Sequence, residues 1–257
     1  MNTIEWISLL SSIGTLLTAI IAACTLFELF RQRRASYKPD LCVLQNSFQL
    51  RPSKLSDCEL AIEWGKHNEK EGDLFNFASM AVVNVGFGAA KNVTAKWFFD
   101  RERLLNEVNE LAQKTHQSFY IEKDDHMLSI NDKGSGKFMV NYRMDSEEFE
   151  YLLPLTQDNK GRKVNLPPAY TLLVSSYLSL KIYNNMRSKE LEIPNITLDL
   201  SYSDIGKGKY TTKHRIKCQV ISIETKGGEL SSKFHVLLSK YHNEWFHLIS
   251  TKSTFAP

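Results

Sequence analysis

No two cysteines of this chain are spaced as a metal or redox motif. Cys24, Cys42, Cys58 and Cys218 contain no CxxC and follow no regular interval. Neither a disulfide framework nor a zinc site is indicated, and scattered free thiols suit a reducing compartment. A strong charge imbalance is also missing. A net charge of +3 over 257 residues does not point to nucleic acid as a partner. The signatures of common chemistries are absent as well: the chain has no GxxxxGK[ST], no HExxH and no GxSxG. "GFGAAK" contains a GxG, but a strand-like run follows it where a dinucleotide loop must open a helix. "GKGK" at residues 206–209 lacks the spacing of a phosphate cradle. His242 and His247 stand five apart, off the i,i+4 geometry of a helical metal pair. No cofactor is expected.

The chain does have a long apolar run. From Trp6 to Phe27 there are 22 consecutive uncharged residues. As a helix they would extend about 33 Å, enough to cross a hydrocarbon core of about 30 Å. Trp6 at one end and Phe27 and Phe30 at the other suit the two interfaces. The alternative is an export signal, because Ile21-Ala22-Ala23-Cys24 resembles a lipobox with Cys24 as the lipidated residue. "MNTIEW" carries no basic n-region, however, and the basic cluster follows the apolar run instead of preceding it. The span is the preferred reading.

Arg31, Arg33, Arg34 and Lys38 lie just beyond the run, so the positive-inside rule places the N-terminus outside and the body in the cytoplasm. The expected location is a bacterial inner membrane. On that side the sequons Asn92-Val93-Thr94 and Asn195-Ile196-Thr197 are inert. The four basic residues are also candidate contacts for anionic lipid headgroups. Gly14, Thr18 and Ala22 recur every four residues as a small-xxx-small series, which predicts a homo-oligomer through the span.

After Pro39 the pattern becomes short runs of period two with turn residues between them, predicting strands. The expectation is a mainly β chain with helical insertions: residues 1–38 form the span and basic segment, and residues 39–257 an antiparallel Ig-like β-sandwich. "DLCVLQNSFQL", "CELAIEWGK", "LFNFASMAVVNVG" and "KNVTAKWFFD" read as strands, as do "SFYIE", "HMLSIN", "FMVNYRM" and "SKFHVLLSK". In "RERLLNEVNELAQKT" the apolar residues fall on one face, predicting a helical insert near 101–115. The stretch after Pro167-Pro168 is apolar nearly all round. It reads as a second helical insert near 168–184, with a buried strand as the alternative. "DKGSGK" reads as a turn and "TQDNKGRK" as a polar connector. Ile196, Leu198, Leu200 and Tyr202 alternate into a hairpin turned at Gly206 and Gly208.

"VVNVGFGAAKNVTAKWFFD" (Val82 to Asp100) resembles the strand–turn–strand motif N-x-G-x-G-x-A-x-N-V, with Ala89 where proline is frequent. That motif belongs to uncharacterised bacterial single-pass membrane proteins with a cytoplasmic β-sandwich, and "LDLSYSDIGKGKY" resembles their later hairpin. The resemblance implies architecture and carries over no catalytic residue.

Two clusters are candidates for function. Asp124, Asp125 and His126 have the composition of a metal site, although they sit beside a helix-to-strand loop and a solvated acidic loop is the preferred reading. Lys207, Lys209, Lys213, Arg215 and Lys217, with His214 among them, would give a hairpin a basic stripe able to bind an anion. The same stripe is expected on a solvated edge strand. The aromatic tail from Tyr241 to Ile249 would cap the core. The leading expectation is a non-enzymatic, membrane-anchored binding or scaffold module, or a sensor-effector, in stress response or phage defence. The alternatives are a tethered hydrolase using a divalent metal and a sensor of a small anionic ligand.

Overall fold

The computed structural model describes residues 3–51, 63–65, 78–116, 120–131, 138–184, 191–224 and 233–240. Helix α1 (Thr3–Ser36) stands clear of the rest, and none of its apolar window from Trp6 to Arg33 is buried. It is the one helix among the described residues long and apolar enough to cross a membrane. Its hydroxyls are provided for internally: Ser12, Thr15, Thr18 and Thr25 each donate to the carbonyl four residues back, at 2.8–2.9 Å. No hydroxyl of this set would therefore enter hydrocarbon without a partner. The last turn closes with the Tyr37 amide on the Arg33 carbonyl at 3.1 Å. Pro39 then disfavours helical geometry at Lys38 and ends the rod.

Among the described residues the body is mainly β, with antiparallel sheets and two further helices. Strand β1 (Leu41–Val43) leads into β2 (Asn46–Arg51). The sequence predicted one strand here, but the chain breaks at Leu44 and Gln45 and its halves join different sheets. The next strands are β3 (Glu63–Gly65), β4 (Ser79–Asn84) and β5 (Ala90–Phe98). Helix α2 (Arg101–Lys114) follows, capped by the Asp100 carboxylate accepting from the Arg103 amide at 3.2 Å. Then come β6 (Tyr120–Lys123), β7 (Met127–Asn131), β8 (Phe138–Asn141), β9 (Ser146–Leu152) and β10 (Arg162–Asn165). Helix α3 (Pro168–Tyr183), β11 (Ile196–Ser203), β12 (Lys209–Glu224) and β13 (Lys233–Lys240) complete the order.

Seven strands form one sheet in the order β3-β2-β13-β12-β11-β5-β9, curled into a half-barrel. Two three-stranded sheets, β1-β4-β10 and β6-β7-β8, accompany it. An Ig-like sandwich instead divides its strands between two facing sheets of similar size. The physical reason for the difference is α3. Tyr170 lies against Cys218 of β12, and the Trp64 indole of β3 donates to Ser175 Oγ at 2.8 Å. A helix thus covers inner-face residues that a second sheet would otherwise cover.

The stretch expected near 168–184 is therefore helical, from Pro168 to Tyr183, and not a buried strand. Pro168 starts the helix where a missing amide is harmless. From Pro168 to Leu180 all its residues except Thr171 are buried, which explains the absence of a polar face. Ser175 and Ser176 tolerate burial by donating to Thr171 and Leu172 carbonyls at 2.7 and 3.0 Å. Trp97, Tyr170 and Leu173 are fully enclosed, and each such side chain contributes about 1.5–3 kcal/mol by leaving water. Helix α2 buries Leu104, Leu105, Val108 and Ala112 and packs on α3, as its amphipathic pattern predicts.

Candidate functional site

The most built-up polar feature lies where α1 enters the body. Only residues 37–40 separate Ser36 from β1, and the body grips them. Asn84, 1% exposed at the end of β4, is the centre of the grip. Its Oδ1 accepts from the Asp40 and Gly86 amides, both at 3.1 Å. Its Nδ2 donates to the Gly88 carbonyl at 2.7 Å and the Leu152 carbonyl at 3.1 Å. The backbone repeats the connection: the Val85 amide donates to the Asp40 carbonyl, and the Leu155 amide to the Asn84 carbonyl, each at 2.8 Å. One buried amide thereby ties the segment after α1, the β4–β5 turn and the end of β9 together.

The glycines, Ala90, Asn92 and Val93 of the N-x-G-x-G-x-A-x-N-V stretch each have a physical reason. A Cβ on Gly86 would come within 2.6 Å of the Asp40 amide nitrogen. One on Gly88 would overlap the Tyr37 carbonyl. Only glycine lets the two backbones approach this closely. Ala90 and Val93 are wholly buried, and Asn92 holds φ 49°, a left-handed conformation that asparagine tolerates. The register between β5 and β11 shifts opposite this point, between Ser201 and Ser203.

The later hairpin reaches the same place. Asp204 is buried, its Oδ1 accepting from the Gly208 amide at 2.7 Å and its Oδ2 from the Tyr210 hydroxyl at 2.8 Å. Tyr210 stacks on Tyr202 with ring centres 5.5 Å apart, and Lys38 Nζ lies 4.9 Å over the Tyr210 ring. Burial, with the Asp40 charge nearby, raises the Tyr202 phenol above its ordinary range. The β4–β5 turn and the β11–β12 hairpin therefore converge on residues 37–40.

The basic residues proposed from sequence divide into two groups. Lys207 lies in the β11–β12 turn at φ 64°, and Lys209 opens β12 next to Tyr210, over whose ring Lys38 lies. Lys213, Arg215 and Lys217 are exposed on one face of β12, alternating with buried His214, Ile216 and Cys218. Eight residues of strand, about 26 Å, separate Lys209 from Lys217, so the five do not form one compact pocket. β12 is also not an edge strand, because β11 and β13 flank it. Its lysines thus do not serve edge protection; Asp199 Oδ2, across the register on β11, lies 3.3 Å from Lys213.

Asp124, Asp125 and His126 form the exposed tight turn between β6 and β7. Asp124 Oδ1 accepts from the Asp125 amide at 2.8 Å, and the Asp124 and Met127 backbones exchange hydrogen bonds. Among the described residues no three His, Cys, Asp or Glu side chains are grouped to hold a metal. Trp6, Gly14, Thr18, Ala22 and Phe27 all lie on exposed α1, and Gly14 has open space around it. Arg31 and Arg33 are exposed near the end of that helix, with Arg34 in its last turn. Cys58, the "DKGSGK" turn and the tail from Tyr241 lie outside the described residues.

One ionic network was not foreseen. Glu102 of α2 accepts from Lys123 and from the Tyr142 hydroxyl, while Arg101 pairs with Asp145 and lies over the Phe99 and Tyr142 rings. The bond from Lys123, then that from Tyr142, holds the Glu102 carboxyl below its usual range. The Glu102 bond raises Lys123, and burial raises Tyr142. A cavity of about 60 Å³ adjoins the network, lined by Trp97, Met144, Asp145 and Asn165 among others. It is far smaller than the hundreds of cubic ångströms that a typical metabolite pocket provides. Burial pushes the Cys218 thiol well up, leaving it protonated beside Tyr170.

The chain matches no protein-family model, and no curated protein or solved structure matches it significantly.

Proposed function

We propose that the protein is a membrane-anchored, non-enzymatic binding module, with α1 crossing a bacterial inner membrane and the β-rich body acting at the cytoplasmic face. The observation that carries this reading is the grip of Asn84 on the span exit. A module tethered for mere retention needs only a loose linker, whereas this body holds residues 37–40 by side chain and backbone. Fixed coupling of that kind suits a scaffold or sensor-effector, whose surface must be presented to a partner in a defined orientation. The exposed Lys213, Arg215 and Lys217 face is the part of the body offered for an acidic partner or small anion. The small residues Gly14, Thr18 and Ala22 support self-association through the span.

Alkaline carbonate extraction and protease protection in inverted vesicles test the anchor. The expected result is a body retained on the membrane and digested only when the cytoplasmic face is accessible. Release by carbonate, or digestion from outside intact cells, overturns the reading. Cross-linked pull-downs from membranes then test the binding role: loss of a captured partner on charge reversal at Lys213, Arg215 and Lys217 is expected. An identical partner set from the reversed protein removes that face from the account.

A further inference from the structure

We propose that the end of the body around the span exit is a bilayer-contacting face, in which Phe87, Ile205 and Tyr37 enter the headgroup layer while Lys38, Lys207 and Lys209 meet anionic phosphates around them. The proposal rests on the reading of α1 as a span.

The sheet registers put the parts side by side. Lys91 of β5 pairs with Ser203 of β11, and Ala90 pairs with Leu152 of β9. The turn carrying Phe87, the turn carrying Ile205 and the segment after β9 are therefore neighbours at one end of the sheet. Gly86 and Gly88 press that end against residues 37–40, and Tyr210 ties the Ile205 turn to Lys38. The three groups surround the point where the helix leaves.

Their chemistry is unusual for turn tips, which are ordinarily polar. Phe87 is 70% exposed, Ile205 65% and Tyr37 65%, with Val85, Leu153 and Leu155 also exposed nearby. Large apolar tips beside exposed lysines are what an interfacial surface requires: rings and branched chains in the headgroup layer, ammonium groups at the phosphates. Asp204 does not oppose this, since its carboxylate is buried against Gly208 and Tyr210; Asp40 is an exposed acidic side chain next to the exit. Distance agrees. Trp6 to Arg33 covers about 42 Å of helix, close to the 40–45 Å of a bilayer with its headgroups, so Tyr37 and the turns around it stand at the outer edge of the headgroup layer.

The test uses the full chain in vesicles of zwitterionic and anionic phospholipid doped with a phospholipid bearing a diazirine near its ester carbonyl. Illumination and peptide mapping should find lipid adducts in α1 and on the peptides carrying Phe87 and Ile205. Phe98, exposed and apolar but about 26 Å along β5 from Ala90, should carry none. The Phe87→Ser/Ile205→Ser double variant should lose the turn adducts and retain those in α1. Adducts confined to α1 overturn the proposal and leave the face to a protein partner. Equal labelling at Phe98 overturns it as unselective. An α1 without adducts sinks the span reading itself, and the proposal with it.

Discussion

Asn84 Oδ1 accepts the Asp40 amide proton at 3.1 Å, joining the start of the body to a strand end 44 residues later in the chain. The same side chain holds the Gly88 and Leu152 carbonyls, so removing it strands donors and acceptors at once. Asn84→Ala should destabilise the body by about 3 kcal/mol. Asn84→Asp should be at least as harmful, because a carboxylate cannot donate to either carbonyl. Thermal unfolding of the detergent-solubilised full chain measures both, and an Asn84→Asp melt equal to wild type would show that the donated bonds are unimportant.

Gly88→Ala should cost about 1–3 kcal/mol through overlap with the Tyr37 backbone. It should also open residues 37–40 to limited proteolysis. Gly14→Ala, with nothing within 4 Å of the added carbon, is the matched control and should leave the melt of the body unchanged. Equal melts for the two variants would remove the close approach from the account.

Gly14→Leu with Thr18→Leu should abolish cross-linking of the membrane-embedded species, because bulk on that face keeps helix backbones apart. Cross-linking that survives both changes would place any oligomer contact elsewhere.

Leu173→Ala should destabilise by about 2–5 kcal/mol, since this α3 side chain is fully enclosed and its loss leaves a cavity. Denaturant unfolding of the full chain provides the number. A cost near that of a surface change would place α3 outside the core.

Glu102 should titrate below the ordinary glutamate range in a carboxyl-detected NMR experiment. Lys123→Met should raise it most and Tyr142→Phe by less, following the order of their effects. The depressed value means that the Glu102 share of stability is present above the ordinary glutamate range. It fades as pH falls through the depressed value. The Lys123 share has the opposite sense: present below the ordinary lysine range, it disappears as pH rises through the raised value. An ordinary Glu102 midpoint would show the network to be unformed in solution.

The elements that were legible in sequence are those whose neighbours are local. Leu104, Leu105 and Val108 announce α2 by their spacing, and the alternation from Ile196 to Tyr202 announces β11. β9 was missed because Glu147, Glu148 and Glu150 mask its period; it closes one edge of the large sheet, where charge is tolerated and useful. β10 was missed because its first two residues belong to the polar connector and only Val164 of its four is deeply buried. α3 stayed ambiguous because a helix buried all round has no periodicity to show. The pairing of β13 with β2 joins distant parts of the chain and leaves no local mark. At the site, Asn84, Gly86 and Gly88 are visible as turn residues. Their role in gripping Tyr37 and Asp40 depends on contacts across more than 40 residues, which spacing does not encode.

With so few residues at the joint, and those held at both ends, the molecule has no swivel. Where α1 crosses a bilayer, a tilt or axial twist of the rod is carried into the sheet as a whole-body rotation. A pull on the sheet by anything docked there is likewise delivered as torque to α1, which makes the chain a lever arm whose fulcrum is the clasp around Asn84.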